Sequence, residues 1–120
     1  MPHLSYQLYC SRNFPPLADT LKMLAATGYQ EVEGYGALYD DLDALKAAID
    51  DSGLHLSSSH IGLDLLEGDV AKALEIAAYF KMRGVFAPFL QPDERPADAA
   101  GWSAFGARLQ EQSKPYLFTP

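Results

Sequence analysis

The segment Gly53–Leu63, GLHLSSSHIGL, contains the pattern that decides the fold. It opens on a glycine of the kind that ends helices, continues as a strand from Leu54 to His60, and breaks again at Gly62. A strand set between two glycines, with helical patterns on either side, is typical of one repeat of a parallel α/β structure. His60 is the last residue of that strand, so the segment also raises the question of whether this histidine binds a ligand or fills the core.

The same strand-helix pattern recurs along the 120 residues of the chain. The strands are predicted at residues 4–11, 29–33, 54–60 and 85–90. The helices are predicted to begin at Pro16, at Asp40 or Asp41, at Asp69, and before the apolar series Trp102, Phe105 and Leu109. Gly28, Gly53 and Gly84 follow the first three helices at intervals close to the ~30 residues of one βα pair in an eight-fold barrel. The sequence therefore predicts an α/β fold, a parallel (β/α)4 half of a TIM-type (β/α)8 barrel, with residues 1–120 as a single domain.

The composition excludes several classes of protein. Sixteen acidic and nine basic residues give a net charge of −7, which would repel nucleic acid and anionic membranes. The chain has neither a membrane-length apolar run nor a signal-peptide layout, so we expect a cytoplasmic protein. The single cysteine, Cys10, cannot form an internal disulfide, and we expect it to pack as a small buried residue. Phosphate-loop, dinucleotide, zinc and serine-hydrolase motifs do not occur.

Four segments carry a resemblance to a known family: LSYQLYCSR at residues 4–12, GYQEVEGYG at 28–36, LHLSSSHIGLDLL at 54–66 and RGVFAPFL at 83–90. Together they resemble the sugar phosphate isomerase/epimerase family with the xylose-isomerase-like TIM-barrel fold, and they correspond to its first four βα units. The resemblance implies a small sugar-like substrate and a divalent metal (Mn, Mg, Zn or Co) in the complete barrel. The metal ligands of such a barrel come from strands five to eight, which this sequence does not contain. We therefore expect a truncated N-terminal half with no cofactor of its own, inactive in isolation.

The candidate binding residues are those placed at the carboxyl ends of the strands, where barrel active sites lie. His60 either lines the mouth and contacts substrate, or is a hydrogen-bonded core histidine, or is a metal ligand. Glu33 ends the second strand, and it shares its face with Glu31, so that one of the two carboxylates is expected in solvent. Tyr35 follows in a glycine-flanked loop where its ring could stack on a sugar. Gln7 lies on the first strand, whose inward face the sequence leaves undetermined.

Other polar residues have weaker claims. Asp64 and Asp93 follow the third and fourth strands, where solvated or capping roles are expected to outweigh a site role. His55, at the start of its strand, faces the opposite end of the barrel, and His3 is a terminal residue with no predicted role.

Two alternatives to a truncated, inactive isomerase remain. In the first, the chain is a non-catalytic half-barrel that forms a homodimer or binds a complementing half-barrel, because the edges of strands one and four would otherwise stay open. In the second, it is an open flavodoxin-like or receiver-like domain. Receivers need clustered acidic residues after the first strand, whereas this chain has Ser11-Arg-Asn-Phe14 there.

Overall fold

The computed structural model describes residues 2–117, which form four strands, each followed by one or two α-helices, five helices in all. The strands are β1 (Ser5–Gln7), β2 (Glu31–Gly34), β3 (His55–His60) and β4 (Gly84–Phe86). The helices are α1 (Leu17–Ala26), α2 (Leu42–Ser52), α3 (Leu63–Gly68), α4 (Val70–Tyr79) and α5 (Ala99–Ser113). Short 3₁₀ helices occupy Leu8–Asn13, Gly36–Leu38, Pro92–Glu94 and Lys114–Tyr116.

The strands form one sheet in the order β1-β2-β3-β4, and each neighbouring pair is parallel. Sequential order and a common direction are what successive βα units produce when each crossover has the same hand. The carboxyl ends of the four strands therefore lie along one rim. The predicted parallel (β/α)4 arrangement is confirmed.

Local signals account for the helix boundaries. Asp41 Oδ1 accepts a hydrogen bond from Ala44 N at 3.0 Å, and Asp69 Oδ1 accepts one from Lys72 N at 3.1 Å, so both aspartates cap helices as predicted. Gly53 ends α2 with φ of +76°, a left-handed conformation that glycine adopts without a Cβ penalty.

The first and fourth strands are shorter than predicted. Residues 8–11 were expected to continue β1, but they belong to the 3₁₀ helix Leu8–Asn13, whose first turn begins where the Gln7 side chain accepts from Tyr9 N. The fourth strand was expected to reach residue 90, yet it ends at Phe86, two residues before Pro88, which lacks a backbone donor. The short helix α3 was not predicted.

The core lies between the sheet and its helices. It is built from buried residues of every unit but the last, including Leu8, Leu21, Leu24, Val32, Leu45, Ile49, Leu56, Ile76 and Ala77. The last helix differs from expectation, because α5 has no buried residue and Trp102 is 47% exposed. Cys10 is also exposed, contrary to its predicted packing role, because it lies on the 3₁₀ helix that replaces the end of the strand.

No helix within residues 2–117 combines the length and the apolar character needed to cross a bilayer.

Candidate functional site

An irregularity in β3 places the polar side chains of the site. The pairing of β2 with β3 shifts register just before Glu33, so that β3 carries an extra residue, Ser57. Two successive serines thereby reach the two glutamates of β2. Ser57 Oγ donates to Glu31 Oε2 at 2.9 Å, and Ser58 Oγ donates to Glu33 Oε2 at 2.7 Å. In a regular strand these two serines would point to opposite faces.

At the carboxyl ends of the strands, three of the predicted residues form a hydrogen-bonded chain across β1, β2 and β3. His60 Nε2 lies 3.1 Å from Glu33 Oε1, and His60 Nδ1 lies 3.2 Å from Gln7 Nε2. The Gln7 amide is held in this orientation because its oxygen accepts from Tyr9 N at 2.5 Å. A neutral imidazole with its hydrogen on Nε2 satisfies both neighbours, since it donates to the carboxylate and accepts from the amide. Gln7 therefore points to the same face as Glu33, which resolves the orientation of the first strand.

Of these three hydrogen-bonded residues, His60 is the one that faces an open cleft of about 550 Å³. Aromatic side chains line the cleft beside it, namely Tyr9, Tyr35 and Phe89. The Tyr9 and Tyr35 rings meet edge to face, with their centroids 5.5 Å apart. The structure thus brings all four predicted binding residues together, with Glu33 and Gln7 behind His60 and Tyr35 on the wall of the cleft.

Arg12 gives the cleft a positive charge that the sequence analysis did not identify. Its guanidinium lies 3.7 Å from the centroid of the Tyr9 ring, and its Nη1 donates to Tyr9 O at 2.6 Å. Arg12 reaches this place because Leu8–Asn13 is a 3₁₀ helix, which turns residues 9 and 12 toward the same side. In an extended strand they would lie on opposite faces.

A second polar cluster lies at the amino ends of the strands. Glu31 is buried, and Arg83 Nη2 donates to its two carboxylate oxygens at 2.8 and 2.6 Å. The hydrogen bond from Arg83 lowers the pKa of Glu31 to about 2, against the effect of burial, which raises it. The expectation of a solvated glutamate on this strand is therefore wrong, since Glu33 is also partly buried at 19% side-chain exposure. His3, for which no role was predicted, has Nδ1 3.3 Å from Glu31 Oε1.

Behind the site, Tyr39 links the helical layer to the last residue of β3. Its hydroxyl donates to Ser59 Oγ at 2.6 Å, and Ser59 Oγ donates to His60 O at 3.0 Å. Burial raises the pKa of Tyr39 to about 12, so this hydroxyl stays protonated as a donor. The backbone of His60 is thus held through Ser59 and Tyr39, while its ring is held by Gln7 and Glu33.

The remaining candidates lie apart from the cleft. Asp64 is an exposed residue in the first turn of α3, and Asp93 is exposed in a 3₁₀ helix. His55 lies at the amino end of β3, where its Nε2 is 3.2 Å from Phe80 O.

The residues present do not fit a divalent metal. Within residues 2–117, no group of three or more His, Cys, Asp or Glu side chains is arranged to hold an ion. Glu33 and His60 supply two potential ligands, but these face each other, and the second oxygen of Glu33 is bonded to Ser58. No chemical step of this chain is therefore assigned to a metal.

Comparison with known proteins bears on the fold. No protein-family model matches the chain, and no curated protein matches it. Among solved structures, it is similar to a sugar phosphate isomerase/epimerase from Parabacteroides distasonis, with a TM-score of 0.74 and 19% sequence identity. The similarity covers 94% of this chain and 46% of the other, so this chain spans about half the length of that protein. The four parallel strands and their helices have the fold of half of that protein's barrel.

Proposed function

We propose that this chain forms a sugar-binding wall of an isomerase/epimerase-like barrel. The observation that carries the proposal is the Gln7–His60–Glu33 chain of hydrogen bonds, which presents an oriented imidazole to the cleft. Support also comes from the solved neighbour, which shares the fold and is described as a sugar phosphate isomerase/epimerase.

The groups around the cleft suit a small polyol. Both ring nitrogens of His60 are bonded to Glu33 and Gln7, so a sugar hydroxyl, which both donates and accepts, would bind His60 by taking the place of one of these partners. The rings of Tyr9 and Tyr35 offer apolar surface for the C–H faces of a sugar ring. Arg12 would hold an anionic substituent such as a phosphate by charge-assisted hydrogen bonds. We expect the isolated chain to bind such a ligand without turnover.

The test compares two histidines at opposite ends of one strand. Binding of D-fructose 6-phosphate and of D-fructose is followed by ¹⁵N-¹H NMR titration of the wild type, His60→Ala and His55→Ala. We expect His60→Ala to raise Kd about 5- to 10-fold through the loss of one or two hydrogen bonds, with little change in the melting midpoint. His55→Ala is the control and should leave Kd unchanged. The proposal fails if neither sugar binds, or if His60→Ala lowers the melting midpoint by several degrees with affinity intact.

A further inference from the structure

The exposed large apolar side chains of the described residues belong to the first and the last βα unit. In the first βα unit, the exposed large apolar residues are Leu4, Tyr9, Phe14 and Met23. In the last unit they are Phe86, Phe89, Trp102 and Leu117. The described residues 31–82, which include β2, β3 and three helices, contribute none to this set. Exposed apolar surface concentrated in two places is typical of interaction sites.

The same two places carry the open edges of the sheet. β1 and β4 are each paired on one side only, so the outer backbone donors and acceptors of both strands have no partner strand among residues 2–117. Because all pairs are parallel, the free edge of β4 has the direction and polarity that the free edge of β1 needs in a neighbour. The two edges are therefore complementary to each other.

Residues 2–117 cannot use this complementarity among themselves. Four strands are too few to close around packed side chains, whereas eight strands give an interior that side chains just fill. The solved neighbour is about twice as long, so closure of the same architecture requires about as much chain again.

We propose that two copies of this chain close into one eight-stranded parallel barrel, with β4 of each copy beside β1 of the other. A two-fold axis along the barrel relates the copies, and it produces two identical seams that leave no strand edge open. Leu4, next to β1, and Phe86, in β4, are buried at these seams, whereas Tyr9 and Phe89 stay on the wall of the cleft. Each copy contributes one His60, so the common mouth contains two of the clusters described above. This inference does not depend on which ligand the cleft binds.

The first test measures the molar mass of the full chain by light scattering across a concentration series. We expect twice the 13.1 kDa of one chain at micromolar concentration. Leu4→Glu and Phe86→Lys each introduce a charge into both seams, at side chains that are 57% and 52% exposed in one chain. Each should weaken dimerisation at least tenfold while the circular dichroism of the monomer is preserved. Ala47→Lys and Ala47→Glu, on an exposed position of α2, are the matched controls and should leave the dimer unchanged.

The second test mixes the two seam variants. In a mixed dimer of Leu4→Glu with Phe86→Lys, one seam contains both substitutions and the other seam is intact. The mixture should therefore dimerise more strongly than either variant alone. Four results would overturn the proposal: a monomer at all concentrations, larger open-ended oligomers, sensitivity to only one of the two substitutions, or no recovery on mixing. Sensitivity to one substitution alone would indicate pairing between like edges.

Discussion

At the scale of single residues, Gly34 leaves the space that the Tyr39 hydroxyl occupies behind the site. A Cβ atom at this position would collide with the Tyr39 hydroxyl and would lie 3.2 Å from Leu56 Cδ1. Gly34→Ala should therefore displace Tyr39 and destabilise the fold by about 1–3 kcal/mol, as overpacking of a core does. Chemical denaturation measures the change. Gly36→Ala is the control, because its added Cβ meets no atom within 4 Å, and equal effects of the two substitutions would contradict this account.

The buried Glu31 should give the fold a defined sensitivity to acid. Its pKa is lowered from 4.5 to about 2 in the folded state by the hydrogen bond from Arg83. Its ionised form therefore stabilises the fold above pH 4.5, and this contribution is lost as the pH falls from 4.5 toward 2. The contribution should be roughly 1–2 kcal/mol, since the exposed Arg83 side chain is screened by water.

The pH dependence is measured by urea denaturation at pH 6 and at pH 3. Glu31→Gln should lose less stability between the two pH values than the wild type does, because the amide does not titrate. Glu75→Gln removes an exposed carboxylate paired with Lys72 and should keep the wild-type loss. Identical losses in all three proteins would show that Glu31 is not the acid-sensitive group.

At the scale of secondary-structure elements, α5 should be the first to detach. It has no buried residue, and it is tied to α3 by two hydrogen bonds from Arg108 to Glu67, at 2.9 and 2.8 Å. The only tryptophan, Trp102, lies on this helix. In dilute solution, tryptophan fluorescence should therefore report a lower urea midpoint than far-UV circular dichroism, which reports all helices. Coincident midpoints would show that α5 unfolds together with the core.

The helices could be predicted more fully than the strands. Capping aspartates and terminal glycines act within one turn, so Asp41, Asp69 and Gly53 indicate helix boundaries from local sequence alone. Strand ends depend on pairing between distant residues, and the aromatic residues after Gln7 favour a strand that the chain does not continue. The register shift at Ser57 also depends on pairing between distant residues, because it exists only between β2 and β3.

The candidate site, like the secondary structure, was predictable only where local sequence position determines it. Position at a strand end was enough to select Glu33 and His60, because parallel strands in sequential order bring their ends together. Gln7 was expected in the middle of the first strand, and it reaches the site because that strand ends at Gln7. Ser58 and Arg12 were missed, since one depends on the register shift and the other on the 3₁₀ helix. The run of three serines before His60 was the available signal, because it departs from the apolar-polar alternation of a half-buried strand.

At the scale of the whole molecule, the sequential order of the sheet follows from repetition of the βα unit. What pairs with the outer edges of β1 and β4 does not follow from this repetition, because neither edge has a partner strand among residues 2–117. Local signals within 120 residues specify each βα unit and its neighbour, but they do not specify what pairs with the two outer strands.

The hydrogen bonds of His60 have a consequence for any molecule that enters the cleft. They join side chains of three strands, so the same bonds that orient the imidazole also fix the positions of the Gln7 and Glu33 side chains at the rim. An incoming hydroxyl competes with these internal partners, and each hydrogen bond that it replaces removes a link from β3 to β1 or to β2. Ligand binding through His60 therefore weakens the side-chain links between the strand ends, and backbone amide hydrogen exchange at the carboxyl ends of β1, β2 and β3 should become faster when the cleft is occupied.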